Sequence, residues 1–162
     1  AAFVYNRSMK SSIAAFKYGA RKEYGRYYAV ELAKKHESWI KKTGAQALIP
    51  VPIHKERHKK RGYNQAEILA RELGKRTGIA VCTDRLLRIR NTRPLKLFDR
   101  KERMEVLQGA FAVRSSSDFP ENILLIDDIY TSGSTMEHAA GILKRAGVQN
   151  VYFLTVSIGQ ER

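Results

Sequence analysis

The sequence predicts an α/β fold whose central sheet is mainly parallel and flanked by helices. Two observations carry this prediction. Strand-like and helix-like segments alternate along the chain, and residues 123–126 form a continuous apolar run, as expected for a parallel strand covered on both faces. The chain has 162 residues, so we expect a single domain over residues 1–162.

The first elements are two helices and a strand. Residues 8–18 and 22–42 each place apolar side chains on one helical face, and Gly19 is expected to end the first helix. Residues 46–53 form a short apolar run bounded by helix breakers, which predicts a buried strand. Pro50 lies late in this run, where a strand exit tolerates proline.

The middle of the chain alternates again. Residues 64–75 have helical apolar spacing, and Asn64 is a suitable N-cap. Residues 79–90 are strand-like and rich in arginine. A short helix over 100–108 and a strand end over 109–113 complete this part.

The last third predicts a βαβ unit. The apolar strand at 123–126 is followed by a helix over 134–146, with Ser134 as its N-cap and Gly147 as its stop. A further strand is expected over 151–156. About 35 residues for the whole unit is the length that a parallel crossover requires.

The charge is high and uneven. The chain carries 30 Lys and Arg against 16 Asp and Glu, a formal net charge of +14, and residues 1–100 alone account for +16. Such a field attracts polyanions, including nucleic acid and phosphorylated metabolites. No apolar run is long enough to span a membrane, no signal segment opens the chain, and a single cysteine, Cys82, excludes a disulfide framework or a cysteine zinc site within it.

The segment 127–135 carries the clearest chemistry. It leaves the carboxyl end of a buried strand and enters the amino end of a helix, which is where ligands bind in open α/β sheets. Unpaired N–H groups and the helix dipole favour an anion there. The segment also supplies hydroxyl groups and a glycine, so we expect it to form a phosphate cradle. Its residues are Thr131, Ser132, Gly133, Ser134 and Thr135.

Asp127 and Asp128 cannot bind that phosphate, because like charges repel. They suit sugar hydroxyls, a Mg²⁺ ion or a developing cation, so a ligand such as ribose 5-phosphate fits both halves of the segment. This interpretation requires that the two acids are not held by internal lysines. The alternative is that the acids only end a strand; an acidic strand of a nucleotide hydrolase would need a G-x-x-x-x-G-K-[ST] loop, which the chain lacks.

The string ILLIDDIYTSGST closely resembles the phosphoribosyl pyrophosphate (PRPP) signature of type I phosphoribosyltransferases. The resemblance implies their fold. It also implies that Asp127 and Asp128 contact the ribose hydroxyls, as the catalytic pair of an active enzyme, and that residues 131–135 hold the 5-phosphate. Mg²⁺ would then bind through PRPP rather than through protein side chains alone.

A second block narrows the resemblance to the ComF family of competence proteins. It reads V-P-I-H at 51–54 and R-G-Y-N-Q-A at 61–66, and the opening residues 4–18 also fit. The family usually carries an N-terminal four-cysteine zinc ribbon, which this chain does not contain; the chain begins Ala1-Ala2 without Met, so we expect further residues upstream. It also departs from the family at Leu95 and Val106, where Gln and Asn are usual, so the resemblance does not extend to catalysis by the loop 91–103.

The basic run 54–61 follows the first predicted strand. In the resembled fold this position is the pyrophosphate-binding loop, and we expect His54, Lys55 and Arg57 to serve it. A solvated charge run is the alternative.

Further basic residues could follow a nucleic-acid backbone. The candidates are Lys59, Lys60, Arg61, Arg88, Arg90 and Arg100. Tyr63 and Phe98 lie near enough in sequence to offer base stacking, whereas Tyr27 and Trp39 are at helical spacing typical of packing residues.

The resemblance implies a PRPP-binding, phosphoribosyltransferase-like competence protein that acts in DNA uptake and handles single-stranded DNA. Its partners would be PRPP, single-stranded DNA and a membrane-associated helicase-like motor, and its place the cytoplasm, free or peripheral at the inner face of the membrane. One alternative is an active phosphoribosyltransferase with an unidentified nitrogen acceptor. Another is a regulatory role in which bound PRPP alters DNA affinity.

Overall fold

The computed structural model describes residues 1–92, 100–114 and 118–159, with seven strands and six helices among them. In chain order these are β1 (Phe3–Val4), α1 (Arg7–Tyr18), α2 (Glu23–Thr43), β2 (Ala47–Pro50), α3 (Lys55–Arg61), α4 (Gln65–Thr77), β3 (Ala80–Val81), β4 (Leu86–Arg88), α5 (Arg100–Leu107), β5 (Phe111–Val113), β6 (Asn122–Tyr130), α6 (Ser134–Arg145) and β7 (Asn150–Ile158).

Five strands form a parallel sheet in the order β1-β7-β6-β2-β3, and β4 and β5 pair antiparallel beside it. Every pairing within the larger sheet is parallel. The predicted α/β class with a mainly parallel sheet flanked by helices is therefore confirmed, in agreement with a phosphoribosyltransferase-like fold. Strands β6 and β7 with α6 between them form the predicted βαβ unit.

Two apolar cores lie on the two faces of this sheet. Leu124 and Ile126 of β6 join the core under α1, α2 and α4, whereas Ile123 and Leu125 join the core under α5 and α6. Successive side chains of a strand point to opposite faces, so an uninterrupted apolar run is what a strand with two covered faces requires.

The long helices follow their sequence signals. Asn6 caps α1 through a bond from the Met9 N–H, and Gly44 ends α2 in the left-handed conformation with a φ of +59°. Helix α2 buries Tyr28 and Leu32 and exposes its lysines. In the described part of the chain, no helix combines the length and the apolar character that crossing a membrane requires.

Three local predictions differ from the structure. The region 79–90 holds two short strands in different sheets, β3 and β4, rather than one. The basic run after β2 is not a loop but the seven-residue helix α3, because His54 caps its start and Gly62, with a φ of +77°, ends it. Ser134 is the first helical residue of α6 rather than its cap, and Gly133 takes the cap position.

Candidate functional site

A cavity of about 290 Å³ opens at the carboxyl ends of β2 and β6. Strand β2 leaves the sheet toward α4 on one face, and β6 leaves it toward α6 on the other. Adjacent strands whose connections depart to opposite faces leave a crevice between them, and this is the general position of ligand sites in such sheets. The topology therefore places the cavity where the sequence predicts a ligand site.

Asp127 and Asp128 both line this cavity, but they lie inside β6 rather than in the turn after it. Pairing with β7 continues as far as Tyr130, whereas pairing with β2 ends at Ile126. The alternation along β6 directs Asp128 to the α1 side of the sheet and Asp127 to the other side. The two carboxylates thus approach the cavity from opposite faces, and Asp127 Oδ1 accepts a hydrogen bond from the Asp128 N–H at 2.8 Å.

Lys17, near the end of α1, forms an ion pair with Asp128, with 2.8 Å between Nζ and Oδ2. The side chains are 22% and 8% exposed. Burial opposes the ammonium charge, yet attraction by Asp128 keeps the pKa of Lys17 above its ordinary value. The requirement that neither acid is held by an internal lysine is therefore not met at Asp128. Lys17 lines the same cavity, so a ligand that uses Asp128 must displace this ammonium or bind it.

Asp127 has a different environment. Burial raises the pKa of Asp127 to about 7, and the negative charge of Asp128 adds to the effect. Lys17 and Arg88 oppose this rise without cancelling it. A carboxyl group that exchanges its proton near neutral pH, inside a cavity, is characteristic of functional sites.

We predict that Asp127→Asn stabilises the protein at pH 8 and has little effect at pH 4. Between about pH 4 and pH 7 the folded chain keeps the Asp127 proton that the unfolded chain has released, so the wild-type carboxyl costs stability as pH rises through this window. The gain at pH 8 should be roughly 1–3 kcal/mol in the free energy of unfolding, measured by urea titration. Asp84→Asn, at an exposed carboxylate paired with Arg114, is the control; an equal gain at both pH values for Asp127→Asn would contradict the prediction.

Three guanidinium groups converge on the same cavity: Arg57, Arg61 and Arg88. Among the described residues, their hydrogen bonds go to neutral groups: Arg57 donates to the carbonyl of Thr92 at 2.5 Å and Arg88 to its hydroxyl at 2.6 Å. Burial, followed by the nearby charge of Arg57, lowers the pKa of Arg88 to about 10. Arg88 Nε is buried without a hydrogen-bond partner among the described residues. Like charges held together with donors to spare form a site for an anion.

The predicted phosphate loop contributes to the cavity through Thr131 and Thr135. Ser132 and Ser134 share a hydrogen bond of 3.0 Å between their hydroxyls, and Ser134 is buried. Gly133 has a φ of +78°, and a Cβ there would collide with the Tyr130 hydroxyl. The glycine is therefore required by the turn itself.

Helix α3 divides the predicted pyrophosphate residues between two faces. Arg57 and Arg61, one turn apart, face the cavity, whereas Lys55, Lys59 and Lys60 are exposed. His54 is buried at the helix start, where its Nδ1 accepts a hydrogen bond of 3.4 Å from the Glu56 N–H. Its observed role is that of a cap.

Two predicted nucleic-acid residues, Arg90 and Arg100, belong to segments other than α3. Arg90 is exposed and donates to the Gln108 carbonyl at 3.1 Å. The side chain of Arg100 is outside the described part of the structure, as are Phe98 and most of the loop 91–103. Arg88, predicted for the same surface, lines the cavity instead.

The R-G-Y-N-Q-A string builds one wall of the cavity. Asn64 Oδ1 accepts from the Ala66 N–H at 3.1 Å, and Asn64 Nδ2 donates to the carbonyl of Val51 at 3.0 Å, which ties the start of α4 to the exit of β2. Gln65 accepts from Arg61 at 3.1 Å. Tyr63 is buried and its hydroxyl donates to the carbonyl of Phe16. Residue type alone does not reveal these positioning roles, nor that of Lys17, because each depends on contacts between distant segments.

Three known proteins that are similar to this chain are named as competence proteins. Competence protein F of Haemophilus influenzae is 32% identical over 108 residues, which cover 65% of this chain and 47% of that protein. Competence protein ComFC of Bacillus subtilis is 30% identical over 150 residues, 90% of this chain and 57% of that protein. Competence protein ComFC of Streptococcus pneumoniae is 31% identical over 155 residues, 93% of this chain and 64% of that protein.

No family model matches the chain. The chain spans about half to two thirds of the length of these three relatives. Two of the matches extend over nine tenths of the chain and so include the R-G-Y-N-Q-A string, the acids of β6 and the phosphate loop together. The similarity to these competence proteins over most of the chain confirms the predicted resemblance to the ComF family.

Proposed function

We propose that the chain is a PRPP-binding, phosphoribosyltransferase-like module that acts in DNA uptake and handles single-stranded DNA. The relatives named as competence proteins support the role in uptake. The residues that line the cavity support PRPP as the ligand. A basic face on α3 supports the interaction with nucleic acid.

The observation that carries the proposal is the composition of the cavity. Arg57, Arg61 and Arg88 offer donors for a pyrophosphate, and Thr131 and Thr135 offer hydroxyls for a terminal phosphate. Two acids line the same cavity. PRPP has a diphosphate on C1, a phosphate on C5 and vicinal hydroxyls between them. The kinds of group that this ligand requires therefore all line the same cavity, which supports PRPP as its occupant.

We expect Mg²⁺ to bind as a companion of the ligand. Among the described residues there is no group of three acidic, histidine or cysteine side chains that could hold a metal. Asp127 is the carboxylate best placed to contribute an oxygen, because Asp128 is engaged by Lys17. When bound, the ion would neutralise diphosphate charge.

Calorimetric titration with PRPP and Mg²⁺ tests the proposal directly. We expect saturable binding at one site per chain, and ribose 5-phosphate should bind more weakly because it lacks the diphosphate. Absence of binding to PRPP at millimolar concentration would overturn the proposal.

The DNA-handling part rests on α3. Its outer face carries the exposed side chains of Lys55, Lys59 and Lys60, on the same helix as Arg57 and Arg61 of the cavity. Each phosphate that such a face neutralises releases bound cations, which makes the affinity depend on salt.

We predict that Lys59→Ala combined with Lys60→Ala weakens binding to single-stranded DNA uniformly across sequences. The slope of log affinity against log salt should fall by roughly 1.4, because each single-strand phosphate contact contributes about 0.7. Fluorescence anisotropy of a labelled oligonucleotide measures this slope at salt concentrations from about 50 to about 300 mM, where the affinity for nucleic acid depends strongly on salt. Lys41→Ala with Lys42→Ala, at exposed positions before β2, is the matched control; equal effects of the two pairs would rule out α3 as the contact.

An active phosphoribosyltransferase is the second candidate, and the raised pKa of Asp127 favours it. A carboxyl that titrates near pH 7 can exchange a proton with a nitrogen acceptor as the bond to C1 forms, and its charge can stabilise a cationic sugar. Release of pyrophosphate from PRPP in the presence of ammonia, nucleobases or nucleotides tests this candidate. If the chain binds PRPP but releases no pyrophosphate with any of these acceptors, the active enzyme is excluded and only PRPP binding stands.

A further inference from the structure

Single-stranded nucleic acid offers stacking bases as well as phosphates, so a protein that handles it gains from exposed aromatic rings beside its basic groups. Tyr63, predicted for this role, is buried and unsuitable. Tyr27 is 57% exposed and stacks against Phe3, with ring centroids 6.4 Å apart, and Trp39 packs edge-on against Tyr152. Both rings thus pack against other aromatic side chains.

Tyr18 is different. It is 73% exposed, the highest value among the exposed large apolar and aromatic side chains of the described residues. The guanidinium carbon of Arg61 lies over its ring, 4.9 Å from the centroid, and Arg61 also donates to the Tyr18 hydroxyl at 3.0 Å. Because Arg61 is further bonded to Gln65 at 3.1 Å, the ring and the guanidinium are fixed relative to one another.

The position of this pair relates it to the cavity. Arg61 lines the cavity, and so does Lys17, the residue that precedes Tyr18 on α1. A guanidinium under one side of an aromatic ring leaves the ring free to stack on its other side, and the same cation can bind a phosphate. The next cationic groups are Arg57 inside the cavity and Lys59 and Lys60 on the outer face of α3.

We propose that Tyr18, backed by Arg61, is a stacking site for one nucleobase of a single strand whose adjacent phosphate lies against Arg61 and the outer face of α3. The inference rests on the proposed DNA-handling function and adds a base-reading element to it. A ring stack has little sequence preference, since every base has a π face. The site therefore recognises that bases are unpaired rather than which bases they are.

The test compares a labelled oligothymidylate with an abasic oligonucleotide of the same length, which has the same phosphates and no bases. For the wild-type chain we expect the oligothymidylate to bind about 5- to 100-fold more tightly. Tyr18→Ala should remove this preference by weakening only the oligothymidylate, with the salt dependence unchanged. Tyr18→Phe should keep most of it, and Tyr27→Ala, at another exposed ring, should keep all of it.

The outcomes separate the inference from the function on which it rests. If the wild-type chain binds both oligonucleotides equally, base stacking is excluded while DNA handling through phosphates stands. If Tyr18→Ala weakens both equally, the ring only positions Arg61 and the inference is wrong. Absence of binding to either oligonucleotide would overturn both. Tyr18 is largely solvent-exposed, so a thermal melt should show the alanine variant folded.

Discussion

Replacement of Lys17 by methionine is expected to lower the free energy of unfolding by about 2–4 kcal/mol, since removal of one partner leaves the carboxylate of Asp128 buried without its counter-ion. Asp128 is 8% exposed and Lys17 22%, so water can replace little of the lost interaction. Urea unfolding at pH 7 measures the change. Methionine keeps the length and apolar character of the lysine stem, which limits the loss of packing.

The matched control is Lys41→Met. Lys41 pairs with Glu37 at 2.7 Å, close to the 2.8 Å of the Lys17 pair, but the side chains of Lys41 and Glu37 are 75% and 67% exposed. Exposed pairs contribute at most about 1 kcal/mol, so this variant should unfold almost as the wild type does. A double-mutant cycle of Lys17→Met with Asp128→Asn isolates the pair: the double variant should be more stable than the sum of single effects implies. Equal losses for Lys17→Met and Lys41→Met would show that the pair does not stabilise the fold.

Replacement of both acids, Asp127→Asn with Asp128→Asn, is expected to weaken PRPP binding by at least about 100-fold. Each carboxylate that accepts a hydrogen bond from a sugar hydroxyl contributes on the order of 1.5–3 kcal/mol, and an amide is a weaker acceptor without charge. Calorimetry with PRPP and Mg²⁺ measures the loss.

The double variant also leaves Lys17 without Asp128, so its fold needs a separate check. Asp127→Asn alone avoids this difficulty, because it is expected to be at least as stable as the wild type, and it should weaken PRPP by about 10-fold. Asp84→Asn should leave PRPP binding unchanged. Unaltered affinity in a folded Asp127→Asn chain would mean that this acid does not contact the ligand.

The pH response of binding follows from the same acid. With a pKa of about 7, Asp127 is protonated below neutral pH and charged above it. A role as acceptor or metal ligand needs the charged form, so PRPP affinity should rise from pH 6 to pH 8 while stability falls. The two responses are expected to run in opposite directions for one physical reason: the charged form of the buried carboxyl destabilises the fold and is the form that the proposed ligand requires.

Much of the architecture could be predicted from the sequence because its signals are local. The apolar run in β6 indicates by itself a strand with two covered faces, and the predicted caps Gly19 and Asn64 act within one turn of the chain. The region 79–90 was harder, because β3 and β4 are two and three residues long and pairing with different partners separates them. The basic run of α3 resisted prediction because it buries no side chain and so lacks a periodic apolar signal.

The sequence by itself determined the class of the fold, the position of the loop at 131–135 and the two acids before it, because residue type and spacing along one segment suffice for these. Only the tertiary structure decided that Lys17 holds Asp128, that Arg88 lies in the cavity and that Tyr18 stands open beside Arg61. Each of these contacts joins elements far apart in the chain, and electrostatic and stacking interactions act over a few ångströms of space rather than along the sequence.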